Sequence, residues 1–272
     1  MGDLSNFYYR ICVFRNIFTK KMIIKNENEL RGIQEIANIV ANTLKEMREF
    51  AKIGMSTKEL DDFGTVYLEK FGAKSAPLLT YQFPGCTCIS VNNEMAHGIP
   101  SSRILKEGDL VNIDVSAELN GFYADNGGSF VLGQDIHQQQ DLVETSIKAL
   151  YTAISTIRGG SKISEVGRVI EKIAKSKGYK VINNLGGHGI GRGLHEEPDC
   201  ILNYNDRNDR RRFKKDSVVA IETFLSTNST YVDTEPNGWT LVGNKGGYCA
   251  QHEHTILVTS GTPIILTKEN LI

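Results

Sequence analysis

From Asn28 onward apolar residues recur at three- and four-residue steps: Ile33, Ile36, Val40, Leu44 and Met47 form one stripe, which predicts an amphipathic helix ended by Gly54. Ser56, with Glu59 three residues on, has the form of a capping box and opens a second helix through Leu60, Phe63 and Tyr67 to a stop at Gly72. Beyond a stretch containing Pro and Gly the period changes. The runs CTCISV, centred on 88–91, and DLVNIDVSAEL read as strands, and Asn120-Gly121 predicts a tight hairpin from which GFYADNGGSFVL returns. The scheme then repeats. Val143, Ile147, Leu150, Ile154 and Ile157 mark a long helix ended by Gly159-Gly160, and a shorter one runs through Glu165, Val166, Val169 and Ile173 to Gly178. Two strand-like runs, SVVAIETFLS and GYCAQHEHTILVT, complete the second half. Glu59, Leu60, Phe63, Tyr67 and Gly72 lie 106 residues before Glu165, Val166, Val169, Ile173 and Gly178 respectively. The pattern is a duplicated helix-helix-strand-strand unit, whose two halves would enclose a cleft lined from both sides.

Composition narrows the classes. A chain of 272 residues, 40% hydrophobic and 23% charged, has the makings of a soluble globular protein with a sizeable core. Lys plus Arg (31) nearly balance Asp plus Glu (32), so the chain lacks the basic surplus of a general DNA or anionic-membrane binder. No apolar run reaches the roughly 18 residues of a membrane span. In the first 21 residues Arg10, Arg15, Lys20 and Lys21 interrupt any signal-peptide core, and Asn6 spoils the myristoylation pattern. Residues 1–26 are therefore expected to be a poorly structured extension, with Met22 a second candidate start. None of the five cysteines stands in a CxxC pair, so free thiols and a cytoplasmic setting are expected.

Candidate chemistry begins in VNIDVSAELNGFYADNGG. On the first strand Asn112, Asp114 and Ser116 share a face opposite to Ile113 and Val115. With a two-residue turn at Asn120-Gly121, paired positions sum to 241, which sets Asp114 opposite Gly127 and makes Asp125 its diagonal neighbour. Two carboxylates converging on one strand face are destabilising unless a cation or proton lies between them. The stretch NLGGHGIGRGLHEEP adds His188 and His195 where glycines let the backbone approach a ligand. A phosphate loop is the alternative, but Pro198 and a polar segment follow in place of a helix. Glu222, within VVAIETFL, and Glu253, within QHEHTILV, are acids embedded in apolar strands. Four carboxylates with one or two imidazoles suit Mn²⁺, Fe²⁺, Co²⁺ or Zn²⁺ in a two-metal centre, and a metal pair lowers the pKa of a shared water. The residues point to metal-assisted hydrolysis.

The segments HGIP (97–100), NIDV (112–115), YAD (123–125), GGHGIGRGLHEEP (186–198), AIE (220–222) and AQHEHT (250–255) resemble, in order and spacing, those of the type I methionine aminopeptidases, a similarity running from about Glu27 to near the C-terminus. The resemblance implies the α+β pita-bread fold, two pseudo-symmetric helix-helix-strand-strand halves around a central antiparallel sheet, with 27–272 as the catalytic domain. It implies two divalent metal ions held by Asp114, Asp125, His188, Glu222 and Glu253. Asp125 and Glu253 match the bridging pair and Glu222 also the general base. It makes His97 and His195 non-ligand histidines that contact the substrate, and places Phe83, Cys88 and Trp239 in a methionine pocket. The implied activity is removal of the initiator methionine from nascent chains with a small second residue, by a cytoplasmic monomer working at the ribosome. Leu194 stands where some members carry Phe, Thr223 where Pro is common and Asn126 where Thr is common. The zinc-finger extension of some members and the long insert of type II enzymes are absent.

Two rivals share the fold. A Pro-specific peptidase of the prolidase or aminopeptidase P kind would carry a sizeable domain ahead of the first family helix, where this chain has about 26 residues. A non-catalytic binding protein would have lost ligands and gained basic stretches, whereas RNDRRRFKK (207–215) is the only basic run here and reads as a solvated loop. His137 reads as a solvated helix start, and His252 and His254, alternating with Glu253, as structural residues on the opposite strand face. Cys12, Cys86, Cys200 and Cys249 are assigned no role.

Overall fold

In the computed structural model residues 22–268 are described. Helix α1 (Glu27–Phe50) starts at Asn26, whose side chain accepts the Glu29 N–H, and buries the stripe from Ile33 to Met47. It closes at Ala51, ahead of Gly54, which turns the chain at φ +89°. The capping box forms as predicted at the start of α2 (Thr57–Lys70): Ser56 N–H donates to Glu59 Oε2 at 2.7 Å and Glu59 N–H to Ser56 Oγ at 3.2 Å. The first half continues through β1 (Lys74–Ser75), the short α3 (Ala76–Tyr81), β2 (Cys88–Val91), β3 (Glu94–Ala96), β4 (Leu110–Leu119) and β5 (Phe122–Val131). The second half holds α4 (Gln140–Ser155), α5 (Ser164–Ser176), β6 (Lys180–Val181), β7 (Gly186–Gly189), β8 (Glu196–Leu202), β9 (Val218–Ser226), β10 (Val232–Thr234), β11 (Leu241–Gly243), β12 (Cys249–Leu257) and β13 (Ile264–Ile265).

The strands join antiparallel in the order β1-β4-β5-β12-β9-β7-β8, with β2 also on β4 and β6 also on β9. The duplication is visible in this order. The β4–β5 hairpin and the β9–β12 pair meet at the centre of the sheet, and β1 and β6, 106 residues apart, dock on β4 and β9. Asn120 and Gly121 both take left-handed backbone (φ 53° and 77°), the geometry of the tightest hairpin turn. The register follows: Asp114 pairs with Gly127 and Ser116 with Asp125. One apolar core lies beneath α1, gathering Ile33, Val40 and Leu44 with Ile113 and Val115; a second beneath α4 and α5 gathers Leu150 and Ile170 with Val219 and Ile221. Two elements differ from the sequence reading. The glycine-rich stretch forms strands β7 and β8, and the end of the extension belongs to the fold, since Met22 is buried and Ile23 bridges to Ser217. The rest of the extension, with Cys12, lies outside the described residues.

Candidate metal centre

The sheet's polar face carries the titratable cluster. Asp114 and Asp125 come from adjacent strands of one hairpin, and Glu222 and Glu253 are direct cross-strand partners on β9 and β12. His188 on β7 pairs with Ala220, which brings its imidazole beside them. Glycine is poor in strands, yet here it is required. A Cβ on Gly187 would lie 2.3 Å from the Ala220 carbonyl oxygen, and one on Gly189 2.2 Å from that of Glu197. Close backbone approach is thus what seats His188.

Ligand atoms of Asp125, His188 and Glu253 fall within 4.8 Å of one another, and Asp114 and Glu222 face the same cavity of about 420 Å³. His188 Nδ1 lies 3.0 Å from the Gly189 carbonyl, which can only accept, so Nδ1 carries the proton and Nε2 presents its lone pair, 3.9 Å from Asp125 Oδ2. Three buried carboxylate oxygens, Asp114 Oδ1, Asp125 Oδ1 and Glu253 Oε1, have no hydrogen-bond partner, and these are the only such side-chain atoms among the described residues. Buried polar atoms are otherwise satisfied. Burial pushes the Asp114 carboxyl up to about 6. Burial and mutual repulsion raise Asp125 and Glu253 well above the usual carboxylate range. Burial lowers His188 to about 4, leaving it neutral and free to coordinate. Hard oxygen donors with one neutral imidazole and three orphaned oxygens fit divalent cations.

Neighbouring residues aim these groups. Gln251 Nε2 donates to Glu253 Oε2 at 3.0 Å and is itself held by Asn112, whose Nδ2 donates to Gln251 Oε1 at 2.8 Å. Gly127, opposite Asp114, leaves the room that the Gln251 amide fills. The Thr255 hydroxyl belongs to the same lattice: its Oγ1 accepts Asp125 N–H at 3.0 Å and donates to Asp125 O at 2.7 Å. Asn126 Nδ2 donates to the Glu253 carbonyl. Thr223 turns away from the cavity, its hydroxyl 2.7 Å from that of Ser146 on α4. Metal-supporting residues of this kind were not evident in sequence, apart from Asn126 and Thr223 as departures from the family pattern.

The remaining candidates line the same cavity. His97 holds a left-handed backbone (φ 54°), kept by Gly98, whose N–H donates to Ser90 Oγ and whose carbonyl accepts Ile89 N–H. Strain of this sort in a cavity-lining residue marks a site whose geometry is fixed by its surroundings. His195 packs against His188, with 4.1 Å between ring centres and the planes tilted by 40°. Phe83, 1% exposed, meets Trp239 edge-on at 5.3 Å, and Cys88, Leu194 and Leu241 complete an apolar wall. Tyr81, also on the wall, had no signal in the sequence. His252 and His254 point to the far side of β12, bonded to Ser146 and to Tyr151 and Thr267, as expected of structural residues. His137 is exposed and stacks on Tyr248.

The chain is similar in sequence and fold to known proteins. The profile of metallopeptidase family M24 matches residues 31–260. Methionine aminopeptidase 2 of Bacillus subtilis is 48% identical over 248 residues, 91% of this chain and 100% of the relative. The crystal structure of methionine aminopeptidase from Thermotoga maritima superposes with a TM-score of 0.87 at 34% identity, covering 91% of this chain and 100% of that one. A prolidase from Pyrococcus horikoshii has the same fold at 23% identity (TM-score 0.72), with 90% of this chain matching 63% of the prolidase.

Proposed function

The chain belongs to metallopeptidase family M24, and from that membership we propose that it is a methionyl aminopeptidase, of type I, that hydrolyses the N-terminal methionine from peptides and nascent proteins. The observation that carries the reading is the convergence of three orphaned, buried carboxylate oxygens and a neutral imidazole on one cavity. Asp114, Asp125, His188, Glu222 and Glu253 would hold two divalent ions (Mn²⁺, Fe²⁺, Co²⁺ or Zn²⁺). When bound, such a pair acidifies water and polarises a carbonyl oxygen.

The chain's own residues supply the rest. Glu222, at the cavity wall beside Glu253, takes up and returns the proton of the attacking water. His97 and His195, both kept neutral by burial, offer ring N–H groups to the scissile carbonyl as charge develops on its oxygen. Phe83, Cys88 and Trp239 enclose the methionine side chain, whose polarizable thioether suits an aromatic, sulfur-bearing wall. Leu194, 4% exposed, lines the same cavity, and the preferred substrates would carry a small second residue. The physiological substrates would be nascent chains met at the ribosome, processed by a cytoplasmic monomer. No described helix is long and apolar enough to cross a membrane.

A substrate panel separates this reading from a Pro-specific peptidase on the same fold. Mn²⁺-loaded protein should release methionine from Met-Ala-Ser and leave Ala-Pro dipeptide intact. Cleavage of Ala-Pro without methionine release would overturn the assignment.

A further inference from the structure

We propose that Tyr81 is a positioning residue for this reaction: its hydroxyl donates to Nδ1 of His195 and holds that imidazole in the tautomer whose Nε2–H is presented to the substrate. The inference rests on the aminopeptidase reading above. The Tyr81 hydroxyl lies 2.6 Å from His195 Nδ1, with the rings 5.7 Å apart at 52°, and both residues line the cavity. His188 packs against the same imidazole, the ring centres 4.1 Å apart and the planes tilted by 40°. One neighbour thus packs on the ring and the other addresses one of its nitrogens.

The support under Tyr81 is firm. It is the last residue of α3, whose first turn is capped by Ser75: that hydroxyl accepts Leu78 N–H and donates to the Cys86 carbonyl at 2.7 Å, tying the helix to the chain entering β2. Gln82 then takes a left-handed conformation (φ 60°), which reverses the chain so that Tyr81 and Phe83, two residues apart, both reach the cavity.

A neutral imidazole has one N–H donor and one lone-pair acceptor, so a partner at Nδ1 decides what Nε2 does. Phenol is the better donor and pyridine-type nitrogen the better acceptor, which sets the bond as O–H to Nδ1. Burial pushes the Tyr81 hydroxyl up to about 12, so the phenol keeps its proton at working pH and remains the donor to Nδ1 of the ring. Nε2 then carries the hydrogen. A substrate carbonyl oxygen only accepts hydrogen bonds, and in the other tautomer it would meet a lone pair.

The test uses the full chain with ¹⁵N-labelled histidine, reading ring tautomers by long-range ¹H–¹⁵N correlation, with His195 assigned by the signals lost in His195→Gln. Wild type should show His195 as Nε2–H. Tyr81→Phe, which keeps the ring and removes only the hydroxyl, should shift it toward a mixture of tautomers. It should also lower kcat on Met-Ala-Ser about two- to tenfold, the value of one hydrogen bond, with KM little changed. Tyr151→Phe removes a hydroxyl bonded to His254 instead and should leave both the His195 signals and kcat as they were. An Nδ1–H tautomer in wild type, or a Tyr81→Phe variant unchanged in tautomer and in kcat, would overturn the proposal. Failure of the aminopeptidase reading would show differently, as a wild type that releases no methionine while its tautomers are still measured.

Discussion

Asp114→Asn should stabilise the metal-free protein at neutral pH while destroying its ability to bind metal. The Asp114 carboxyl is pushed from its ordinary 3.8 to about 6 by burial, which outweighs the opposing effect of its hydrogen bond with Asp125. A folded-state value above the unfolded one means that folding favours the protonated form. The associated stability is full below pH 3.8 and is lost as the pH rises through about 6. Fully lost, a shift of that size corresponds to about 3 kcal/mol. Asp114 keeps some contact with cavity water, so about 3 kcal/mol is the upper end. Asparagine keeps the shape, removes the charge and can donate to Asp125. Thermal unfolding of chelator-stripped protein from pH 5 to 7.5 checks this. Wild type should lose melting temperature across that range and Asp114→Asn should lose less, standing higher at pH 7.5 by up to roughly 6–10 °C. Added Mn²⁺ should raise wild type and have little effect on the variant. A variant less stable than wild type at pH 7.5 without metal, or a wild type whose melting temperature is flat over the range, would refute the electrostatic reasoning.

Other outcomes follow from the same geometry. Asp125→Asn should abolish methionine release with circular dichroism unchanged, because it removes one charge from the group of ligand atoms gathered within 4.8 Å. Trp239→Ala opens the wall against which Phe83 packs edge-on, and steady-state kinetics should show KM for Met-Ala-Ser rising about tenfold with a smaller change in kcat. Glu196→Ala removes the carboxylate that accepts the backbone N–H groups of Met22 and Arg192. It should destabilise the protein by about 2 kcal/mol and speed hydrogen exchange in the segment that leads to His195.

Most of the architecture was legible because local chemistry and global fold agree. Asn120-Gly121 dictated the hairpin register, and that register placed Asp114 and Asp125 as diagonal neighbours. The 106-residue offset reappears as matched positions in one sheet. The strands of the glycine-rich stretch were hidden for a physical reason. Gly187 and Gly189 are there because neighbouring carbonyls leave no room for a Cβ, so the residues that enable the strand are those propensity counts against it. Tyr81 was invisible for another reason: only the left-handed turn at Gln82 aims it at His195, and nothing in APLLTYQF announces that turn. Met22 joins the fold through Glu196, 174 residues away, a contact that no local pattern encodes.

The central claim is that five side chains on one sheet face hold the metal that makes this chain a methionyl aminopeptidase. It is tested most directly by titrating Mn²⁺ into chelator-stripped protein while counting bound ions and measuring methionine freed from Met-Ala-Ser. Methionine release should be absent without metal and should rise with occupancy of up to two ions. Release that persists in the stripped protein, or none at all with ions demonstrably bound, would contradict it.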